Sequence, residues 1–384
     1  MIPSPTIPTR ADNRPARLAT RLAFLVAGFG VSSWAPLIPF TKQRLGADDG
    51  LMGLLLLCLG AGSVVAMLRT GPMCARHGCK PVIIATGLVF ALALPFLALA
   101  STPWMLALAL LVFGGACGSL DVAMNVHAVE VERDAAIPLM SGFHAMYSVG
   151  GFAGSALVTF LLSSSLTPLQ CTLLCTVVMI ATMAAASPRF IQTARATQAH
   201  ELAWPRGGVL LLLACLAGAC FLVEGAMLDW GALLLTTESL AAPAQAGLGY
   251  ALFSVAMTAG RFGGDAVTAR IGDRATMFWG GLAALAGFAV LLFAGRLAFA
   301  LAGFVLIGLG ASNIVPVLFR RSGAIPGTSA AMAVSAITTV GYAGMLVGPA
   351  AVGFVSRLTN LPTAFWLLAA IIALVPISAA RVTR

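Results

Sequence analysis

Apolar runs of about 20 residues follow one another along almost the whole chain, parted by short polar gaps that carry most of the arginines. A helix needs about 20 residues to cross roughly 30 Å of hydrocarbon. On that ruler the chain divides into twelve spans, at about 18–40, 51–69, 81–100, 104–128, 138–162, 170–187, 208–235, 246–266, 276–294, 297–319, 328–355 and 362–380. The pattern therefore predicts an all-α, polytopic membrane protein of twelve transmembrane helices. Before them, residues 1–17 hold four prolines and three arginines and are expected to form a disordered cytoplasmic tail. The first apolar run is too long for the core of a cleavable signal peptide and has no small-residue cleavage site after it, so it is read as a span.

The polar gaps also divide the chain. The longest between spans, 188–207, is expected to be a cytoplasmic linker between a six-helix half at 18–187 and a second at 208–384. A shift of 194 residues superposes Arg76 on Arg270, Gly78 on Gly272, Lys80 on Arg274, Gly114 on Gly308, Ser141 on Ser335, Gly150 on Gly344 and Gly154 on Gly348. One offset held across four spans marks an internal repeat. Many secondary transporters are built from such repeats, with the substrate site between them near the bilayer midplane.

Composition agrees, with 60% of residues apolar and 9% charged, far from the soluble norm of about 25% charged. The net charge of +9 reflects topology and not a nucleic-acid partner, because the basic residues do not form one patch. With both termini cytoplasmic, seventeen of the 22 basic residues fall inside and only Lys42, Arg44, Arg296 and Arg357 outside. Arg261 alone falls within a span. A multi-pass protein of a bacterial-type inner membrane, with both ends in the cytoplasm, is expected.

Six of the eight cysteines lie in apolar spans, where Cys behaves as a small hydrophobe. Cys74, His77 and Cys79 lack a fourth zinc ligand nearby, so neither metal nor cofactor is expected. There is no phosphate loop, dinucleotide turn or His-Glu-x-x-His, so no enzyme and no ATP-driven pump is expected. Intramembrane hydrolysis by Ser141 or Ser148 beside His144 is a weak rival, and a passive channel a stronger one.

The chemistry-bearing positions are the polar residues inside spans. Asp121 and Asn125 share a face with Gly114 and Gly118, which is expected to point inward. An intramembrane carboxylate is costly and is read as functional by default, although a stripe of glycines also serves close helix packing. His144 and Tyr147 lie with Ser141, Ser148 and Gly151 on one face of the fifth span. His144 either relays protons or donates to a carbonyl and joins two helices. Glu224 and Asp229 in the seventh span point about 140° apart on a straight helix. Both line one cavity only if that helix opens near Gly225 or Gly231. Asn313 precedes Pro316, which is expected to kink the tenth span; it either binds a hydroxylated solute or satisfies the carbonyl that the proline frees. Trp34 and Trp230 either stack on a sugar ring or anchor the helices at the interface. The expected proton-coupling set is Asp121, Glu224 and His144, and the expected substrate set is Asn125, Tyr147, Asp229, Trp230, Asn313 and Trp34. Charge pairs among Arg76, Lys80, Arg270, Arg274, Glu130 and Glu132 are expected to gate the cytoplasmic side.

The loop Gly71-Pro-Met-Cys-Ala-Arg76-His-Gly78-Cys-Lys80 resembles the Gly-x-x-x-Asp-Arg-x-Gly-x-Arg/Lys signature of the major facilitator superfamily, with Ala75 in place of the usual Asp. Its echo at Arg270, Gly272 and Arg274 strengthens the match. Asp121-x-x-x-Asn125, Glu224 with Trp230, Gly260-Arg261-Phe262 and Ser312-x-x-x-Pro316-x-x-Phe319 resemble the fucose and glucose/galactose permease group and related bacterial inner-membrane members. The resemblance implies one half rocking against the other; the chain is expected to move a small polar solute, a sugar or polyol, with protons, and to be a monomer in the lipid bilayer. The Gly-Pro-rich run of drug antiporters is missing from the fifth span, and a similar pair lies at Gly348-Pro349. Proton-driven efflux of a drug-like or metabolite substrate is therefore the alternative.

Overall fold

The computed structural model describes residues 13–47, 49–192, 208–241, 248–326 and 328–383. The expected linker from residue 193 on, and most of the expected N-terminal tail, lie outside the described residues. Every regular element among the described residues is helical. The helices are α1 (Arg14–Trp34), α2 (Ile38–Leu45), α3 (Asp49–His77), α4 (Cys79–Leu99), α5 (Pro103–Ala135), α6 (Met140–Ser163), α7 (Pro168–Ala186), α8 (Gly208–Thr237), α9 (Leu248–Leu292), α10 (Leu297–Ala311), α11 (Ile314–Ser322), α12 (Ala330–Leu358), α13 (Leu361–Ile372) and α14 (Leu374–Val382).

Local sequence sets the boundaries. Proline occupies the first turn of α1, α5 and α7, where its missing N–H costs nothing. Thr167 and Gln170 close a reciprocal capping box at the start of α7, and Ser329 and Asn360 cap α12 and α13. The first helix begins at Arg14, so the last residues of the expected tail, among them Pro15 and Arg17, are helical.

Among the described residues eleven helical runs are long and apolar enough to span a membrane. One of them, α9, has 45 residues, about 68 Å of helix at 1.5 Å per residue. That is twice the hydrocarbon thickness, and the run breaks at Gly272, where φ is 80° and ψ 165°. The eighth and ninth expected spans are its two limbs, and the count of twelve follows.

The first half is built by α1 against α6, α3 against α5, and α4 against α5 and α7; the second repeats this with α8 against α12 and α9 against α10. Hydrocarbon is as apolar as leucine, so such helices associate through close packing. The repeat shows in the packing itself. A Cβ at Gly114 would run into the Leu59 carbonyl, and one at Gly308 into the Phe253 carbonyl, so both members of that contact are related by the 194-residue offset. Large apolar side chains such as Trp104, Phe152, Phe293 and Ile377 project outward, as a lipid-facing shell requires. The halves meet chiefly along α3 with α12 and α6 with α9.

Candidate functional site

Five helices from both halves bring polar groups to the middle of the bundle. Tyr147 on α6 lies within electrostatic reach of Asp121 on α5, Glu224 on α8 and Arg261 on α9, and Tyr342 on α12 within reach of Asp121, Tyr147 and Glu224. Asp121 is buried at 8% exposure, while Gly114 and Gly118 on its helix lie against the α3 backbone at Leu59 and Ser63 and so serve close packing. Asn125, one turn on, donates from Nδ2 to the Asp121 carbonyl at 2.9 Å and stands 3.4 Å from its carboxylate Oδ1; its own buried Oδ1 has no partner.

Arg261 faces this group from the second half. Its side chain is 9% exposed, and Nη1 donates to Ser148 Oγ at 3.2 Å across the junction of the halves. Nη2 is 3.8 Å from Glu224 Oε2, and the buried Nε has no partner. The Glu224 side chain is 26% exposed.

Other expected residues fall differently. His144 is held by aromatic rings, 5.1 Å from Phe24 edge-on and 5.5 Å from Phe319 in a stack that crosses between the halves. Its Nε2 is buried without a partner, so it does not act as a donor to a carbonyl there. Trp34 is buried at 3% exposure, with an unpartnered indole N–H. The seventh span does not open: α8 runs unbroken through Gly225 and Gly231. Asp229 is exposed, yet it lies, like Glu224 and Arg261, within electrostatic reach of Tyr250 on α9, and Trp230 packs across Gly353 of α12.

The tenth span does break, at Ser312-Asn313 between α10 and α11. Asn313 donates to the Gly260 carbonyl at 3.1 Å and to Ser312 Oγ at 2.9 Å, tying the break to α9. It therefore does not serve the carbonyl freed by Pro316, and its Oδ1 is left without a partner.

Charged groups also fasten the halves at the end that carries the Gly78 and Gly272 turns, but not in the expected pairs. Glu132 on α5 pairs with Arg320 on α11, and Arg320 and Arg321 both reach Asp273, just past the α9 break. Arg76, Lys80, Arg270, Arg274 and Glu130 take no part in this cluster. α11 packs against α5, which brings Arg320 to Glu132. Glu132 also accepts from the Leu139 and Met140 amides at 2.5 and 2.7 Å, and Asp265 on α9 from the Ser141 and Gly142 amides at 3.0 and 2.8 Å. Two carboxylates, one from each half, thus neutralise the positive N-terminus of α6. In the matching place of the other pair, Ser335 Oγ donates to the Met67 carbonyl at 2.7 Å and lies against Gly71.

Sequence reasoning passed over Arg261, Asp265, Asp273, Arg320, Arg321 and Tyr342 as site residues. Two of them left a signal. Arg261 is a cation inside a span, and Asp265 stands where the 194-residue offset places Gly71. Among the described residues no group of three or more His, Cys, Asp or Glu is arranged to hold a metal.

Two six-helix repeats with ionisable groups buried between them define a membrane transporter of the two-half kind. The chain belongs to the major facilitator superfamily, whose model matches residues 21–236. It is 44% identical over 369 residues to an uncharacterized MFS-type transporter of Yersinia pestis, covering 96% of each chain. Among solved structures it is similar to the E. coli fucose:proton symporter FucP in its outward conformation, with TM-score 0.78, 18% identity, and 97% of this chain and 99% of that one covered. It is similar also to the human organic anion transporter MFSD10, with TM-score 0.78, 15% identity, and 96% and 99% covered.

Proposed function

We propose that this protein is a secondary active carrier that moves a small polar solute, a sugar or polyol, together with protons by alternating access. The observation that carries the reading is the convergence of Asp121, Tyr147, Glu224, Arg261 and Tyr342 from both halves on one interior region. A channel needs no buried acids in both halves, whereas a coupled carrier needs groups that load and release protons as the halves move. The fold likeness to a fucose:proton symporter supports the polar-solute and proton assignments. The charge distribution of the loops supports a bacterial inner membrane with both termini cytoplasmic.

Asp121 is the coupling site in this reading. An ionised carboxylate at the bilayer centre costs roughly 2.5–3.5 kcal/mol on insertion scales, so a buried acid there exchanges its proton as water access changes sides. Each charge that crosses gains about 2.3 kcal/mol per 100 mV of membrane potential, enough to bias the cycle. Asn125 and Tyr147 offer hydrogen bonds to the solute beside it, and the Glu132–Arg320–Asp273 cluster closes the cytoplasmic side.

The test is Asp121→Asn in proteoliposomes. It keeps shape and hydrogen-bonding capacity but cannot titrate. Proton-driven accumulation of solute is expected to vanish while solute exchange continues. Accumulation against a gradient by the variant would remove Asp121 from the coupling role and leave Glu224 in its place.

A further inference from the structure

Arg261 is short of acceptors. A guanidinium carries five N–H donors in a fixed planar fork, and among the described residues Nη1 alone makes a hydrogen bond, to Ser148. The Glu224 carboxylate at 3.8 Å is an ion-pair neighbour beyond hydrogen-bond reach. The Nε–H is buried with nothing to receive it. Leaving a charged donor unsatisfied away from water is costly, so a side chain 9% exposed in this state is an incomplete site.

The missing partner is defined by the fork. Nε and an Nη present two parallel N–H groups, the geometry that a carboxylate accepts bidentately. Two buried acceptors on other helices also lack partners: Asn313 Oδ1, set against Gly264 of α9 by the side chain whose amide ties to the Gly260 carbonyl, and Asn125 Oδ1 beside Asp121. Acceptors without donors fit hydroxyl groups. Glu224, loosely held and 26% exposed, is the internal anion that an incoming carboxylate would displace.

We propose that the solute is a small hydroxylated carboxylate, of the sugar-acid type, whose carboxylate is received by Arg261 and whose hydroxyls donate to Asn125 and Asn313. This rests on the polar-solute reading above and narrows it from neutral sugars to acids. Arg261 is then the residue that sets specificity, and Glu224 its competitor.

The test is thermal unfolding of the purified full-length protein with D-gluconate and D-galacturonate, against L-fucose, D-galactose, myo-inositol and the lipophilic cation tetraphenylphosphonium. Ligand binding to the folded state raises the midpoint by mass action. The acids are expected to stabilise the wild type and the neutral compounds to do so much less. Arg261→Lys keeps the charge but loses the fork, and is expected to weaken acid binding by about tenfold or more. Glu224→Gln removes the competitor and is expected to tighten it. Ligand-free midpoints of both variants report whether they fold; if Arg261→Lys does not, the Glu224→Gln result decides. Neutral sugars binding as tightly as the acids would overturn the proposal and leave the polar-solute carrier standing. Stabilisation by lipophilic cations alone, with none from acids or sugars, would overturn both.

Discussion

Gly78 and Gly272 share one backbone conformation 194 residues apart, φ 84° and ψ 158° at the first, φ 80° and ψ 165° at the second. Both lie in a region essentially closed to residues with a Cβ. Each turns the chain between two spans with no further loop, α3 into α4 and the first limb of α9 into the second. The repeat is thus written in dihedral angles as well as in residue identities.

Replacing either glycine by alanine is expected to cost on the order of 1–3 kcal/mol, the usual price of holding a side chain in such a conformation. No neighbouring atom crowds a Cβ at Gly272, so the loss there comes from backbone strain alone. A lowered unfolding midpoint of the purified Gly272→Ala protein checks this. An unchanged midpoint would mean that the turn relaxes freely.

Arg320 joins Glu132 of the first half to Asp273 of the second, with the three side chains 18%, 6% and 12% exposed. Removing one partner of a buried pair typically costs 3–5 kcal/mol; the partial exposure of Arg320 puts Arg320→Ala at the lower end of that range or below it. The loss falls on the closed arrangement of this end, so the equilibrium between conformations is expected to shift. Spin labels on the α5–α6 turn and the α9 turn should report a longer mean distance in Arg320→Ala than in the wild type. Equal distance distributions would show that the cluster serves stability without gating.

His127 on α5 is fully buried and links three segments. Its Nε2 accepts the Ile191 N–H at 3.1 Å, and Nδ1 lies 3.0 Å from Thr20 Oγ1, whose own proton goes to the Ala16 carbonyl at 2.8 Å. The network therefore assigns the proton of the ring to Nδ1. His127→Phe preserves volume but strands the Ile191 amide and the Thr20 oxygen, each costing about 1–3 kcal/mol when buried. A drop in the unfolding midpoint, with solute exchange retained in the surviving folded protein, is the expected outcome. Loss of exchange at full stability would instead place His127 in transport.

The sequence by itself determined the spans, the repeat and the interior acids, because a bilayer imposes a length and a polarity on each segment regardless of its neighbours. An apolar run of 20 residues, an arginine-bearing gap and a carboxylate such as Asp121 in mid-span are each local facts. Even the α9 break was legible, since Gly272 echoes Gly78 in the first half. Pairing was not. That Glu132 meets Arg320 and not Arg76, that Asp265 caps α6, and that Arg261 stands beside Glu224 depend on which helix ends adjoin, and the residues concerned are up to 188 positions apart. The straightness of α8 was equally hidden, because glycines at 225 and 231 permit a break without requiring one. Tertiary structure decided these matters because an ion pair or a helix cap is chosen by distance and direction in space, and the helices that supply them are brought together only when the two halves pack.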